Sequence, residues 1–385
     1  MKVSGTLIRL TAGAVAIAAV STLPALAADP IKIGVITDET GRAAFYAQPV
    51  TEGVKLAAKE INAKGGILGR QIELVIEDDG GKPDVSATKA RKLVDAGVVA
   101  FISNSSSPAT QQAETVSLET KTPHITPANS GETLATELKN PYFFQLGPLA
   151  STQIKTLMSY TRAKKFKKVA VVGDNSGLSK IIADVFEKSL KGNGIEVAVA
   201  EIIPMGSRTA VPQMQKVRAA EPEAIFQAGI VGPQMAQFFQ AYHQLGMKQP
   251  ILASFNLSIP SYLKVAKDMM EGVAFIDAYD PEKPKTKEFI SLYKKEHGEE
   301  PFSLPGYGYD GLHFIADAIV RAGSTDKEKI RAAMASTKGW SGVMGAKGAT
   351  VNLSDEDRRG FDPEGAVVRL IHNNNHGPAI HSGTK

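Results

Sequence analysis

The sequence predicts an α/β chain of two doubly wound units side by side, each a parallel sheet covered by helices. Three observations predict it. Strand and helix signals alternate nearly from end to end, and the beat restarts near residue 150. Strands such as Val169–Val172 are continuously apolar, as expected where both faces of a parallel sheet are covered. At 385 residues the chain is long enough for two units of ordinary size, each able to bury its own core.

The first strand is expected over Ile31–Ile36, followed by the loop Thr37–Gln48 and a helix over Val50–Asn62. In that helix Val50, Val54, Ala57, Ala58 and Ile61 fall on one face of a 3.6-residue period, with Lys55, Lys59 and Glu60 off it. Gly65-Gly66 stops it. Strands Gln71–Glu77 and Val98–Ile102 follow, the second ending in the serine loop Ser103–Ser107 and a helix opened by Pro108. His124–Thr126 is a short strand, and Tyr142–Leu146 an extended segment that leaves the first unit.

The second series reads helix Ala150–Ala163, strand Val169–Gly173, helix Ser179–Asn193, strand Val197–Ile203 and helix Val211–Ala219. Strand Ala224–Gln227, helix Pro233–Leu245, and strands Ile251–Ala253 and Val273–Ile276 complete it. Beyond, Pro284–His297, Gly308–Ala322 and Lys327–Thr337 read as helices, and Gly345–Asn352 and Val367–His372 as strands. The stretch His376–Lys385 reads as an unstructured tail.

The N-terminus carries Lys2 and Arg9, an apolar run from Leu10 to Val20, then Pro24 and Ala25-Leu26-Ala27. This is the pattern of a secretory signal cut after Ala27; the apolar run falls short of the ~20 residues a membrane span needs. The chain has no cysteine, so neither a lipid anchor nor disulfide staples are available. Removing residues 1–27 lowers the formal charge of +4 by two. A nearly neutral product argues for neither nucleic acid nor a membrane surface as partner.

Catalytic signatures are missing. There is no cysteine nucleophile, G-x-S-x-G elbow, phosphate loop or H-E-x-x-H, and no G-x-G-x-x-G follows the first strand. His372, His376 and His381 form a loose spaced set near the C-terminus, read as an unstructured end of the chain rather than a metal site. Asp78 and Asp79 point to opposite sides of an extended chain, so they read as a turn with Gly80-Gly81 rather than a paired acid and base.

In open α/β sheets, ligands bind outside the carboxyl ends of the strands, which directs attention to the loops. Ser107 fits the N-cap of the Pro108 helix, and a helix N-terminus at a strand end is also an anion site. Thr126-Pro127-Ala128-Asn129-Ser130-Gly131 brings short polar groups to the same edge. Tyr46 in the first loop, Phe255 after Ile251–Ala253, and Tyr307 in the extended patch Pro305-Gly306-Tyr307-Gly308 supply aromatic walls.

At these residues the chain resembles the type I periplasmic binding proteins of the leucine/isoleucine/valine-binding family, the receptors of branched-chain-amino-acid ABC importers. The resemblance rests on IKIGVITDETG, on EINAKGGILGRQIELVIEDD with the following KPDVSATKARKLVDAGVVAFIS, and on TPANSGETL and KKVAVVGDNSGLSK. GYGYDGLHFIADAI and the turn Val343-Met344-Gly345-Ala346 complete it in family order.

It implies two Rossmann-like doubly wound lobes joined by a three-crossover hinge, near Leu146–Pro148, Ile276–Tyr279 and Asn352–Asp355. Residues 28–147 and 279–353 would form the first lobe, 148–278 and 354–376 the second, and 377–385 a flexible tail. It further implies a periplasmic monomer without cofactor or metal, which holds a small carboxylate or amino acid and delivers it to ABC permease transmembrane subunits. A sensory module of the same fold is the alternative.

By motif match, ligand carboxylate and ammonium fall to Ser107, the backbone of Ala128 and Asn129, and the Ser130 hydroxyl, with Tyr46 lining the side-chain pocket. The second lobe departs from the family. Leu178 and Val231 stand where tyrosines are usual, and Phe255 stands where the family places the acid that pairs with the ammonium. Asp277 is the nearby acid that could take its place. A buried ammonium without a carboxylate partner suffers a penalty of several kcal/mol, so the expected ligand is a small carboxylate with an apolar or aromatic body.

Overall fold

The computed structural model describes residues 1, 29–361 and 365–383; the expected signal segment lies outside them. No helix among the described residues is long and apolar enough to cross a membrane. The first half runs β1 (Ile31–Thr37), α1 (Ala44–Ala63), β2 (Ile72–Asp78), α2 (Pro83–Asp95), β3 (Ala100–Ser103), α3 (Ser107–Thr120), β4 (His124–Thr126), the short α4 (Leu134–Glu137) and β5 (Phe143–Gln145). Its strands form one parallel sheet in the order β2-β1-β3-β4-β5.

The beat then repeats through α5 (Ala150–Ala163), β6 (Lys168–Asp174), α6 (Gly177–Gly192), β7 (Glu196–Ile203), α7 (Val211–Ala219), β8 (Ala224–Gln227), α8 (Pro233–Gln244), β9 (Ile251–Ala253), α9 (Pro260–Ala266) and β10 (Ala274–Asp277). Their sheet order, β7-β6-β8-β9-β10, reproduces that of the first half. After α10 (Pro284–His297), α11 (Ser303–Ala322) and α12 (Lys327–Ala335), the chain adds β11 (Val367–His372) and β12 (Asn375–Ser382), both antiparallel, beyond β10. The fold is that of two doubly wound α/β units.

Each sheet has its own core. Ile31, Val35, Ile102, Ile125 and Phe144 share one with Phe289, Leu312, Phe314 and Ile315 of α10 and α11, so late helices complete the first half. Clusters around Phe238 and Phe275 and around Phe186 and Phe226 cover the second sheet. The chain passes between the halves three times. On the third passage Gly360 N–H still donates to Gln145 O (2.6 Å) and Arg358 O accepts from Gln145 N–H (3.0 Å). That passage therefore runs beside the end of β5, where the first passage begins.

Four local expectations are corrected. The first helix begins at Ala44, not Val50, so Tyr46 sits in its opening turn; Pro49 lies inside it. Pro305–Gly308 is helical, not extended, because its glycines serve a helix crossing. A Cβ on Gly308 would stand 1.8 Å from Val50 O, and one on Gly53 1.8 Å from Pro305 O. Gly345–Asn352 makes only isolated bridges, Tyr279 to Gly345 and Val351 to Trp340 and Phe361. Finally, much of the expected tail is β12, an edge strand where Pro378 is tolerated; Asn373 and Asn374, at φ 50° and 58°, make the hairpin turn.

The α1–α11 crossing sets where Tyr46 and Tyr307 stand. Alanine favours a helix over glycine by about 1 kcal/mol, but overpacking costs about 1–3 kcal/mol, and here the obstacle is backbone. We expect Gly308→Ala to lower the melting temperature in calorimetry; a rise would show that the two helices separate freely.

Candidate functional site

Residues that follow the carboxyl ends of both sheets line three adjoining cavities, as the topology requires. One of about 800 Å³ is bounded by Tyr46, Ser105, Ser106, Ser107, Asn129 and Ser130 on one side and Val231, Phe255, Asn256 and Tyr262 on the other. A second, about 390 Å³, adds Ala128, Gln153, Ser258, Asp277, Ser303 and Tyr307. A third, about 490 Å³, opens between α5 and α6. Ser130 and Phe255 line all three.

The first-half wall is organised by carboxylates that hold loops. Asp38 accepts from the N–H groups of Gly41 (2.6 Å) and Ala43 (3.0 Å), which shapes the turn into α1. Asp78 accepts from Glu39 N–H and Gly80 N–H, both at 2.9 Å, and Asp79 from Gly81 N–H (2.8 Å) and the Ser105 hydroxyl (2.7 Å). The neighbouring acids thus share the Gly80-Gly81 turn and tie it to different loops, Asp78 to Glu39 and Asp79 to Ser105.

Ser106, not Ser107, caps α3, accepting from Ala109 N–H at 3.4 Å. Ser107 is the first helical residue, and its hydroxyl donates to Asn129 Oδ1 (2.9 Å) across the cleft floor. The cap expected at Ser107 thus falls one residue earlier. Asn129 in turn is held by Gln145, whose Nε2 donates to Asn129 O and Gly131 O, both at 2.9 Å.

Tyr46 Oη donates to Ala128 O (2.6 Å), so that carbonyl already has a partner. Burial raises the phenol pKa of Tyr46 and of Tyr307, which keeps both neutral. On the facing side, Asp174 accepts from Val231 N–H (2.7 Å), and Asn256 Nδ2 donates to Ile230 O (2.8 Å), which fixes the Gly229–Gly232 loop. Leu178 lies in the first turn of α6; its side chain lies outside the described ones.

The structure brings Tyr46, Ser107, Ala128, Asn129, Ser130, Val231, Phe255 and Tyr307 together around the cavities. Reading the sequence missed Gln153, Ser258 and Ser303. Asp277 ends strand β10, and the carboxyl-end rule applied there singles it out; Gln153, inside the first turns of α5, carries no such signal.

Asp277 is the one acid among the described residues lining these cavities. Its Oδ2 accepts from Arg369 Nη1 at 3.0 Å, and both side chains are 3% exposed. Burial pushes the carboxyl pKa up while the guanidinium beside it pulls it back. Arg369 also donates to Gly377 O (2.9 Å) and His376 O (2.8 Å) of β12. The three late histidines go to separate partners, Glu271, Leu257 O and Ser159, and no metal-holding cluster occurs among the described residues.

A family model described as periplasmic binding protein matches residues 30–370. The chain is 28% identical over 322 residues to the Leu/Ile/Val-binding protein homolog 3 of Brucella melitensis, covering 81% of this chain and 84% of that one. It is 28% identical over 313 residues to the leucine-, isoleucine-, valine-, threonine- and alanine-binding protein of Pseudomonas aeruginosa, covering 80% and 83%. A crystal structure of the branched-chain amino acid transporter substrate binding protein LivJ from Streptococcus pneumoniae, in complex with isoleucine, superposes with a TM-score of 0.76 at 25% identity. That match covers 92% of this chain and 99% of the other.

Removing one partner of a buried ion pair leaves an uncompensated charge, at a cost of about 3–5 kcal/mol. Asp277→Asn should therefore lose stability of that order in denaturant titration. A loss below about 1 kcal/mol, the size of an exposed pair, would mean that the Arg369 guanidinium reaches solvent.

Proposed function

We propose, from the premise that the chain belongs to the periplasmic binding protein family and its leucine/isoleucine/valine-binding branch, that it is the substrate-binding component of an ABC importer. In this reading it is exported with residues 1–27 removed and works as a monomer in the periplasm. It captures a small carboxylate with an apolar or aromatic body and delivers it to the permease. Residues 28–147 with 279–353 close against 148–278 with 354–376 by hinge motion.

One observation carries the ligand class: the described cavity walls set neutral donors against apolar groups and offer no acid without a counter-ion. The Ser107 and Ser130 hydroxyls and the N-terminal turn of α3 face Val231 and Phe255. A carboxylate gains about 1.5–3 kcal/mol per charge-assisted hydrogen bond, plus about 0.3–1 kcal/mol from the helix N-terminus. An ammonium in the same place would meet an aspartate already neutralised by Arg369, with desolvation opposing it. The anion wins that comparison.

A second reading has its own support, since Asp277 lines the cavity that holds Tyr46 and Ser130. There the ligand is an α-amino acid whose ammonium shares the Asp277 carboxylate with Arg369.

A thermal-shift screen against amino acids, aliphatic acids, aromatic acids and small amides separates the two. Ligand at 100 times its Kd adds about 2.7 kcal/mol, which moves the melting temperature by several degrees. The expected result is a shift with acids that lack an amino group; a shift confined to leucine, isoleucine and valine selects the second reading. Ser107→Ala should weaken carboxylate binding about ten- to a hundredfold in calorimetry. Unchanged affinity would confine Ser107 to its contact with Asn129.

A further inference from the structure

Between α5 and α6 the second sheet carries an apolar cavity that opens beside the cleft. Ile154 and Leu157 of α5, Ile182 and Val185 of α6, Phe226 of β8 and Ile276 of β10 wall it. Among the described residues, the only polar side chains at it are Ser130, Gln153 and Ser254. Two of these, Ser130 and Gln153, together with Phe255, also line the second cavity of the interlobe cleft. At the mouth, Ile181 and Val185 are 65% and 41% exposed, and apolar residues grouped at a rim mark a surface that something covers.

We propose that this cavity is a tail subsite: a ligand with its carboxylate at Ser107 and Ser130 passes Phe255 and buries its apolar body between α5 and α6. The inference rests on the carboxylate reading above and deepens it, naming the ligands as straight-chain or ω-aryl alkanoates longer than a branched-chain amino acid side chain. Continuity of the walls selects this occupant. Ser130 stands both at the carboxylate end and at the cavity mouth, so one molecule reaches both. Walls of this kind hold water poorly, whereas methylene groups placed against them gain dispersion contact and lose hydration.

Isothermal titration of the full protein with butanoate, hexanoate and octanoate, and with 3-phenylpropanoate, tests it. Each buried methylene should tighten binding about fourfold, so octanoate should exceed hexanoate by about tenfold or more. Ile182→Trp, which fills the cavity from α6, should abolish the gain from chain length and leave butanoate binding within about twofold; Val185→Trp at the rim provides the same test should the first variant fold poorly. A flat series in which short acids bind overturns the tail subsite and leaves the carboxylate reading standing. Equal weakening of butanoate and octanoate by either variant also overturns it. No binding by any acid removes the carboxylate reading, and the tail subsite with it.

Discussion

The buried pair of Asp277 and Arg369 is the interaction on which the rest of the arrangement depends. Asp277 ends β10, where the chain leaves the second sheet for the first half, and Arg369 belongs to β11, which pairs antiparallel with β10. The guanidinium reaches two β12 carbonyls and lies over the Phe275 and Tyr279 rings, 5.8 and 5.3 Å from their centroids. One side chain thereby joins three strands to the second crossover. The same pair fixes the charge of the cleft, because it neutralises the acid that lines it.

Much of this was legible in the sequence, and the reason is physical. Val211–Ala219, Ala224–Gln227, Ile251–Ala253, Pro284–His297 and Val367–His372 occur with the bounds that the pattern predicts. Their limits are set locally, by proline at a helix start or by the ends of a continuous apolar run. The misplaced elements depend on distant partners. The glycines near Tyr307 look like breakers until α1 is known to pass against them, where the absent Cβ permits contact of two backbones. β12 reads as a polar tail because its strand character comes from pairing with β11; the Asn373-Asn374 turn was its one local signal.

The candidate site divides in the same way. The Ser107 and Asn129 loops could be placed from the carboxyl-end rule, since it needs only the strand positions. That Tyr46 occupies the Ala128 carbonyl, or that Gln145 holds the Asn129 loop, could not, because each is a contact across 82 or 16 residues of chain. Choosing between adjacent serines as the cap of α3 was likewise beyond periodicity. The capping hydroxyl is selected by backbone angles, φ −59° and ψ 154° at Ser106, which no count of residues supplies.

The doubled topology explains why a cleft with two unlike walls arises at all. Both sheets run in the same order and present loops at their carboxyl ends, so each half could have offered polar groups to a ligand. They do not contribute alike. In the first half Asp38, Asp78 and Asp79 spend their charge on loop N–H groups, which turns short serine and asparagine side chains toward the cavity. In the second, Asp174 and Asn256 take that holding role, and Val231 and Phe255 line the cleft beside Asn256 and Tyr262. The serine and asparagine groups of the first wall and the apolar Val231 and Phe255 opposite would orient the proposed ligand without a formal counter-charge. For the ligand class proposed, the orientation would follow from where desolvation is least costly for each end: the carboxylate where hydroxyls and a helix terminus replace water, the apolar body where nothing polar loses it.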